Sequence, residues 1–184
     1  MTVSDGKAYM AANLYLLTPG SPFIYYGEEI GIKGSRGSAD TDANRRLAML
    51  WGDGDTVKDP EGSTYDKQSS FSVKDLEAMD GSLLTHYRKV MKIRREYPEI
   101  ARGQYTALQF ADTKAGGFLC MLENSMTGVF HNTTTKEQKL DLHDTPAKDL
   151  QIITAVLSVN PEKGGAELKD GILTLGPQTS AVLK

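Results

Sequence analysis

The chain has 184 residues, of which 39% are hydrophobic and 24% are charged, and its formal net charge at pH 7 is −3. This composition indicates a folded chain with one domain or two small ones, and the lack of a basic stripe argues against a nucleic-acid partner. The single cysteine, Cys120, excludes an internal disulfide, and its apolar neighbours predict a buried thiol. No apolar run approaches the ~20 residues that span a bilayer, so we expect no membrane partner. The sequence assigns no compartment.

The first half of the chain shows helical patterns around one predicted strand. A helix is predicted at about 4–17, with Ser4 or Asp5 as its cap, and it is apolar almost all round, so it needs cover on more than one side. The run "PFIYYG" at 22–27 is continuous rather than alternating, which is typical of a strand buried in a parallel sheet. Residues 28–70 are predicted to be a long irregular segment, and such segments are often functional.

Two further helices are predicted before the pattern changes. Ser72 and Asp75 fit a capping box for a short helix at about 73–79. The clearest helical pattern runs from about 82 to 97, where Pro98 is expected to end the helix.

From Gly103 onward the pattern is that of β-strands separated by turns. Strands at this spacing predict an antiparallel sandwich of roughly 80 residues. The predicted fold class is therefore α+β, divided into residues 1–102 and 103–184. The predicted strands are 105–110, 118–123, 128–132, 138–142 and 151–157, followed by a final hairpin at 172–184.

Metal and nucleotide sites are disfavoured by residue spacing. The stretch "DTDANRRLAMLW" at 40–51 begins like a calcium loop, but Arg45 stands in place of the required glycine and Trp51 in place of the required glutamate. The three histidines share no ligand spacing, and "GIKGSRG" matches no phosphate-binding loop. We therefore predict no metal and no cofactor.

Glu28 and Glu29 directly follow the predicted strand at 22–27. Glycoside hydrolysis needs two carboxyl groups that face each other across the scissile bond. Side chains of adjacent residues point to different sides of a strand or turn, so this pair is not predicted to be the two catalytic acids. Two interpretations remain: a salt bridge beside a solvated carboxylate, or a supporting role in a substrate site.

Four stretches carry a resemblance to a known family. The segment "LLTPGSPFIYYGEEIGIKG" (16–34) resembles the region of the eighth strand in the α-amylase family of glycoside hydrolases. The segment "NRRLAMLWGDGD" (44–55) resembles that family's Arg-x-Pro-Met-x-Trp stretch, with Ala48 in the proline position. Residues 81–108 look like the last barrel helix leading into the C-terminal β domain, and residues 171–184 look like that domain's final hairpin.

The resemblance implies an incomplete remnant of a (β/α)₈ TIM barrel, followed by an antiparallel β-sandwich domain. Family members carry a catalytic aspartate nucleophile, a glutamate acid/base and a second aspartate on strands four, five and seven, and those motifs are absent from this sequence. A barrel of this type also needs roughly 200 or more residues. We therefore expect no catalytic residue in this chain and no activity from it alone. The full-length parent is expected to be a retaining hydrolase of α-glucans such as starch and maltooligosaccharides, cleaving α-1,4 or α-1,6 bonds.

The resemblance also implies which residues lie near the substrate. Glu28, Glu29, Arg46 and Trp51 are expected to bind the α-glucan or to support residues that do, with Arg46 a candidate partner of the glutamates. An incomplete barrel leaves apolar surface uncovered, which predicts self-association.

A carbohydrate-binding or structural β-sandwich module is the alternative function. Such a module holds sugar on an exposed aromatic platform. The aromatic residues after position 102 lie within strand patterns and are expected to be buried, which disfavours this alternative. They are Tyr105, Phe110, Phe118 and Phe130.

Overall fold

The computed structural model describes residues 6–35, 42–54, 57–65 and 71–184. The helices are α1 (Lys7–Leu16), α2 (Val73–Glu77), α3 (Leu83–Glu96) and α4 (Pro98–Arg102), with short 3₁₀ turns at Glu28–Ile30 and Asp42–Arg45. The strands are β1 (Gln104–Leu108), β2 (Ala115–Leu122), β3 (Ser125–Asn132), β4 (Gln138–Asp141), β5 (Ile153–Ser158), β6 (Ala166–Lys169), β7 (Ile172–Leu175) and β8 (Thr179–Leu183). The described residues fall into two compact units, one within 23–88 and the other formed by residues up to Pro22 together with 89–184.

The unit within 23–88 is mostly irregular and is organised by a small apolar core. Ile30, Leu76 and Leu84 are buried at its centre. The predicted capping box of α2 is confirmed: the Ser72 hydroxyl accepts from the backbone N–H of Asp75, and the Asp75 carboxylate accepts from the backbone N–H of Ser72. The half-buried side chains that pack against this core are Ile32, Met49, Leu50, Phe71, Val73 and Met79.

Two antiparallel sheets form the centre of the other unit. The larger has the strand order β1-β2-β3-β8-β5, and the smaller has the order β4-β7-β6. One apolar core takes side chains from both sheets, with Phe130 among its fully buried members. Its other buried members are Leu108, Ala115, Leu119, Leu140, Leu142, Ala147, Leu150, Leu173, Leu175, Ala181 and Leu183.

Helices cover the other face of the five-stranded sheet. Cys120, Val129 and Val182 alternate with the core residues along their strands and are buried as well. Helix α4 contacts β2 and β3, and α1 contacts β8. The buried Asn13 amide donates to the carbonyl of Leu157, a separation of 3.3 Å. The predicted burial of the cysteine thiol is thus confirmed.

The predicted strand at 22–27 is not observed. Residues 21–25 have no assigned helix or strand, and no described strand pairs with them. Phe23 is 92% exposed, although the apolar run predicts burial. The prediction of a parallel sheet is wrong for the described residues, because both of their sheets are antiparallel and all of those strands lie after residue 103. A strand forms only by hydrogen bonding to a neighbouring strand, and the described residues supply none for 22–27.

The predicted final hairpin at 172–184 is also wrong. Strand β7 pairs with β4 and β6 in the smaller sheet, whereas β8 pairs with β3 and β5 in the larger one. The hairpin that does form joins β6, absent from the predicted strands, to β7. Its two-residue turn is Asp170-Gly171, with φ angles of 46° and 69°, the backbone that this dipeptide favours in tight hairpins.

The helix ends differ from the predictions at two places. The predicted caps of the first helix, Ser4 and Asp5, lie outside the described residues, and Gly6 occupies the N-cap position. Pro98 ends α3 as predicted but also begins α4, where a proline costs no hydrogen bond. The predicted division into 1–102 and 103–184 stays a prediction.

Candidate functional site

The two glutamates lie in a short turn whose ends are both glycines. Gly27 and Gly31 have φ angles of 88° and 76°, which L side chains rarely adopt, and the residues between them form a single 3₁₀ turn. Ile30, at the end of this turn, is buried in the core of its unit. The core therefore anchors the turn, and Glu28 and Glu29 are each left half-buried.

The two glutamates differ in their surroundings. Glu28 has an interaction partner in the structure. Glu29 has a buried carboxylate oxygen, Oε2, for which no described residue supplies a hydrogen-bond donor. An unpaired buried carboxylate oxygen costs free energy, so Glu29 is the member of the pair whose polar environment is incomplete.

Two stacked tyrosines stand immediately before this turn. The rings of Tyr25 and Tyr26 have centroids 5.0 Å apart and planes inclined by 28°. The Tyr25 hydroxyl donates to the Arg45 carbonyl over 3.0 Å, and the Tyr26 hydroxyl donates to the Leu47 carbonyl over 3.1 Å. Desolvation raises the pKa of the Tyr26 hydroxyl. These bonds hold both rings against the backbone of 45–47 while the ring of Tyr25 stays more than half exposed.

Tyr25 also lines a cavity of about 540 Å³ together with Gly34, Asp42, Arg45 and Arg46. The two oxygens of the Asp42 carboxylate each lie 3.3 Å from one guanidinium, Oδ1 from that of Arg45 and Oδ2 from that of Arg46. Among the described residues, the lining of the cavity thus combines one aromatic face with two positive charges and one negative charge. Within the described part of the chain, Arg46 pairs with Asp42; its pairing with the glutamates stays a prediction.

The structure separates Trp51 from this cavity. Its side chain is 59% exposed and is not among the lining residues. Its backbone carbonyl accepts from the N–H of Lys74 at the start of α2. Of the four residues predicted for a substrate site, the structure places Arg46 in the cavity and Glu28 and Glu29 in the turn that follows Tyr25.

Sequence reasoning missed four of the described lining residues of the cavity as site candidates: Tyr25, Gly34, Asp42 and Arg45. A signal for Tyr25 was present, since it lies only three residues before the acidic pair. The contributions of Asp42 and Arg45 depend on how 42–45 folds against the tyrosines.

Within the part of the chain that the structure describes, no three His, Cys, Asp or Glu side chains gather as metal ligands would. The described helices include none that is long and apolar enough to cross a membrane.

The described residues form a mixed α and β protein with antiparallel sheets, and an acidic turn follows an exposed aromatic run. Comparison with known proteins assigns this chain to a family. Residues 2–103, more than half of the chain, match the family described as "Alpha amylase, catalytic domain". The chain belongs to the alpha-amylase family.

Two curated relatives and one solved structure illustrate the likeness. Alpha-amylase SusG of Bacteroides thetaiotaomicron is 32% identical over 98% of this chain, which covers 26% of that protein. Alpha-amylase 3 of Dictyoglomus thermophilum is 27% identical over 98% of this chain and 34% of that protein. The structure of Eubacterium rectale Amy13B superposes with a TM-score of 0.83 at 27% identity, over 100% of this chain and 35% of that one. The chain therefore spans about a quarter to a third of the length of the proteins it matches.

Proposed function

We propose that this chain is the C-terminal portion of an α-glucan hydrolase of the α-amylase type. In this proposal residues 1–102 are the remnant of a (β/α)₈ barrel, and residues 103–184 are a β-sandwich made of the two antiparallel sheets. The full-length protein acts on starch or maltooligosaccharides with retention of configuration, through a covalent glycosyl intermediate that water hydrolyses.

The observation that carries this proposal is the exposed run Phe23–Tyr26, which leads directly into the acidic turn. A barrel strand is apolar on both faces because side chains fill the barrel on one side and helices cover it on the other. An apolar run with 92% of Phe23 and 55% of Tyr25 exposed is what such a strand looks like without its neighbours. In a barrel the acidic turn would then lie at the carboxyl end of the strand, where active sites are built.

The cavity beside Tyr25 supports a role in holding sugar. An exposed tyrosine face, fixed through its hydroxyl, offers a stacking surface for a sugar ring. Arg45, Arg46 and Asp42 offer donors and acceptors for hydroxyl groups. We propose that Arg46 binds substrate, that Glu28 and Glu29 support the residues around it, and that Trp51 contacts a more distant sugar unit.

We infer that the chain alone does not hydrolyse glucans, because the catalytic carboxylates belong to strands that this sequence does not contain. The test is to incubate the chain with maltoheptaose and with pullulan and to measure new reducing ends. No turnover is expected from the chain alone. Turnover is expected when a polypeptide carrying the preceding two thirds of a full-length relative is added. Sustained turnover by the chain alone would overturn the proposal.

A second candidate function, a carbohydrate-binding module, is favoured by one observation. Tyr105 is 51% exposed on β1, whereas Phe118 and Phe130 are buried as expected and Phe110 is partly buried. The ring of Tyr105 lies 5.1 Å from that of Phe118, which supports it from one side. A titration with maltoheptaose that perturbs the Tyr105 ring resonances, and that Tyr105→Ala abolishes, would favour this function over the first.

We also propose that the exposed run Phe23–Tyr26 drives self-association of the isolated chain, because water-exposed apolar surface of this kind favours contacts with another copy. Light scattering should show oligomers whose mass falls when Phe23→Ser and Tyr25→Ser are introduced together. A monomer at all concentrations would contradict this expectation.

A further inference from the structure

The turn between β6 and β7 carries the dipeptide Asp170-Gly171 at an exposed position. Lys169 and Ile172 form the last pair of the ladder, so both turn residues lie outside it. Among the described residues, no acceptor is bonded to the N–H of Gly171. Because glycine has no side chain to hinder the approach, its backbone nitrogen can reach the carboxyl group of a preceding aspartate. The turn therefore holds two groups that are able to react with each other.

The register of β4 on β7 places a histidine beside this turn. Asp141, the last residue of β4, lies opposite Ile172. One residue further, the N–H of Leu142 donates to the carbonyl of Gly171 over 2.9 Å, so the register continues past the ends of the strands. A Cβ atom built on Gly171 would lie 2.6 Å from Nε2 of His143. The imidazole of His143 therefore packs directly on the Cα of Gly171.

The carboxylate of Asp141 fixes which nitrogen of this ring carries the proton. Its Oδ1 lies 2.7 Å from Nδ1 of His143 and also accepts from the backbone N–H of His143 over 3.0 Å. These bonds lower the pKa of the Asp141 carboxyl group, which favours its ionised form. An ionised carboxylate can only accept, so Nδ1 is the donor. In the neutral ring Nε2 then has the free lone pair, and this nitrogen is the one that faces Gly171.

We propose that Asp170-Gly171 is a site of self-modification, at which His143 promotes the conversion of Asp170 to isoaspartate. The Gly171 nitrogen bonds to Cγ of the carboxylic acid form of Asp170, while its proton passes to Nε2 of His143. The imidazolium returns this proton to the departing hydroxyl, so the Cγ–O bond breaks and one water leaves. One water then opens the cyclic succinimide. Opening at the main-chain carbonyl gives isoaspartate, and opening at the side-chain carbonyl restores aspartate.

Two other Asp-Gly dipeptides, Asp53-Gly54 and Asp80-Gly81, are exposed as well and provide a comparison within the same chain. A Cβ atom built on Gly54 or on Gly81 would meet no described atom within 4 Å beyond its chain neighbours, so no imidazole packs on either glycine as His143 does on Gly171. Isoaspartate adds one carbon to the backbone, which a two-residue turn cannot absorb without loosening the pairing of β6 with β7. The modification is independent of the proposed hydrolase function.

The test is to incubate the full chain at 37 °C and neutral pH for several weeks and to measure isoaspartate at each site by peptide mapping with electron-transfer fragmentation. A positioned proton-transfer group contributes roughly 10²–10⁴-fold in enzymes, so we expect at least about tenfold faster formation at Asp170 than at Asp80. His143→Gln should slow formation at Asp170 about fivefold or more, and Asp141→Asn, which loses the orienting carboxylate, should slow it about twofold or more. The matched control is Lys139→Gln, at an exposed position of β4, which should leave the rate unchanged.

The same incubation in 6 M guanidinium separates the fold from the local sequence. Without the fold, the rates at Asp170 and Asp80 should become similar, because His143 no longer lies beside Gly171. Three results would overturn the proposal: equal rates at the two sites in the folded chain, an excess at Asp170 that persists in guanidinium, or an unchanged or higher rate in His143→Gln. The last result would mean that the ring only shields the turn.

Discussion

The ammonium group of Lys184 lies 2.5 Å from Oε1 of Glu99, joining the end of β8 to helix α4 across 85 positions of sequence. The Ser125 hydroxyl donates to the same oxygen, and Glu99 is only 5% exposed. Burial by itself raises the pKa of this carboxyl, but the hydrogen bonds from Lys184 and Ser125 outweigh it and lower the pKa to about 2. The ionised form is thus the one that the fold stabilises.

Acid should therefore destabilise the sheet unit through Glu99. The folded-state pKa is lower than the ordinary 4.5, so the stabilisation is complete above pH 4.5 and is lost as the pH falls towards 2. The loss amounts to about 3 kcal/mol. Urea unfolding at several pH values checks this prediction. In Glu99→Gln, the free energy of unfolding should depend less on pH below 4.5. If the free energy of unfolding of Glu99→Gln falls with pH as steeply as that of the unchanged chain, Glu99 is not the source of the acid sensitivity.

Arg94 should not tolerate even the conservative change to lysine. Its guanidinium is 7% exposed and donates to the carbonyls of Leu16, at the end of α1, and of Thr18 and Gly20 beyond it, and burial lowers its pKa. These carbonyls have no partner within the helix, and a lysine cannot reproduce the fork that serves all three. Arg94→Lys should lower the free energy of unfolding by about 2–4 kcal/mol.

The neighbouring Arg95 is exposed and provides the control. Arg95→Lys, measured by the same urea titration, should change the free energy of unfolding by less than about 0.5 kcal/mol. Equal losses in the two variants would mean that the three bonds of Arg94 add nothing to what an exposed arginine of the same helix contributes.

His131 should add a second acid-sensitive contribution at higher pH. Its ring is 8% exposed, Nδ1 lies 2.8 Å from the Ser180 hydroxyl, and the buried Nε2 has no hydrogen-bond partner among the described residues. Burial lowers the pKa of the imidazole from 6.5 to about 4, so the fold holds the neutral form. Stability is retained above pH 6.5 and falls as the pH drops towards 4, by about 3 kcal/mol in total.

An asparagine side chain places its amide where the histidine has Nδ1. Unlike imidazole, this amide is not protonated between pH 4 and 6.5. His131→Asn should therefore remove the slope between pH 6.5 and 4 while leaving the Glu99 slope at lower pH. The His131 imidazole resonances are those that disappear in His131→Asn, and titration of these resonances near 6.5 in the folded chain would show that the ring is not buried as described.

Cys120 should be almost unreactive in the native chain. Its thiol is fully buried, and burial raises its pKa to about 11, so little thiolate forms at pH 8. Labelling with a disulfide reagent should be about 100-fold slower, or more, in buffer than in 6 M guanidinium, because it requires opening of the sheet. Equal rates in the two solutions would contradict the packing of α4 on β2.

Glu28→Gln, in the full-length protein that we propose, should weaken catalysis without abolishing it. Loss of one charge beside the proposed substrate site is expected to lower kcat/KM by roughly tenfold. Glu61→Gln, at an exposed position of the same unit, is the control and should leave kcat/KM unchanged. Complete loss of activity with an intact circular dichroism spectrum would make Glu28 a catalytic residue.

The sequence by itself determined the local elements. The capping box of Ser72 and Asp75, the helix that ends at Pro98 and most of the β-strands follow from caps, breakers and periodicity, all of which act over a few residues. The resemblance carried by 16–34 also indicated the family, which the match over residues 2–103 then established.

Only the tertiary structure decided how distant residues meet. Three features depend on residues far apart in the sequence. Strands β7 and β8 lie in different sheets, Glu99 bonds to Lys184, and Arg94 is buried against carbonyls more than 70 positions away. The apolar run Phe23–Tyr26 is another case in which the local sequence did not determine the structure. Its composition predicts a buried strand, but burial depends on neighbouring strands, and the described part of this chain contains none that pair with it.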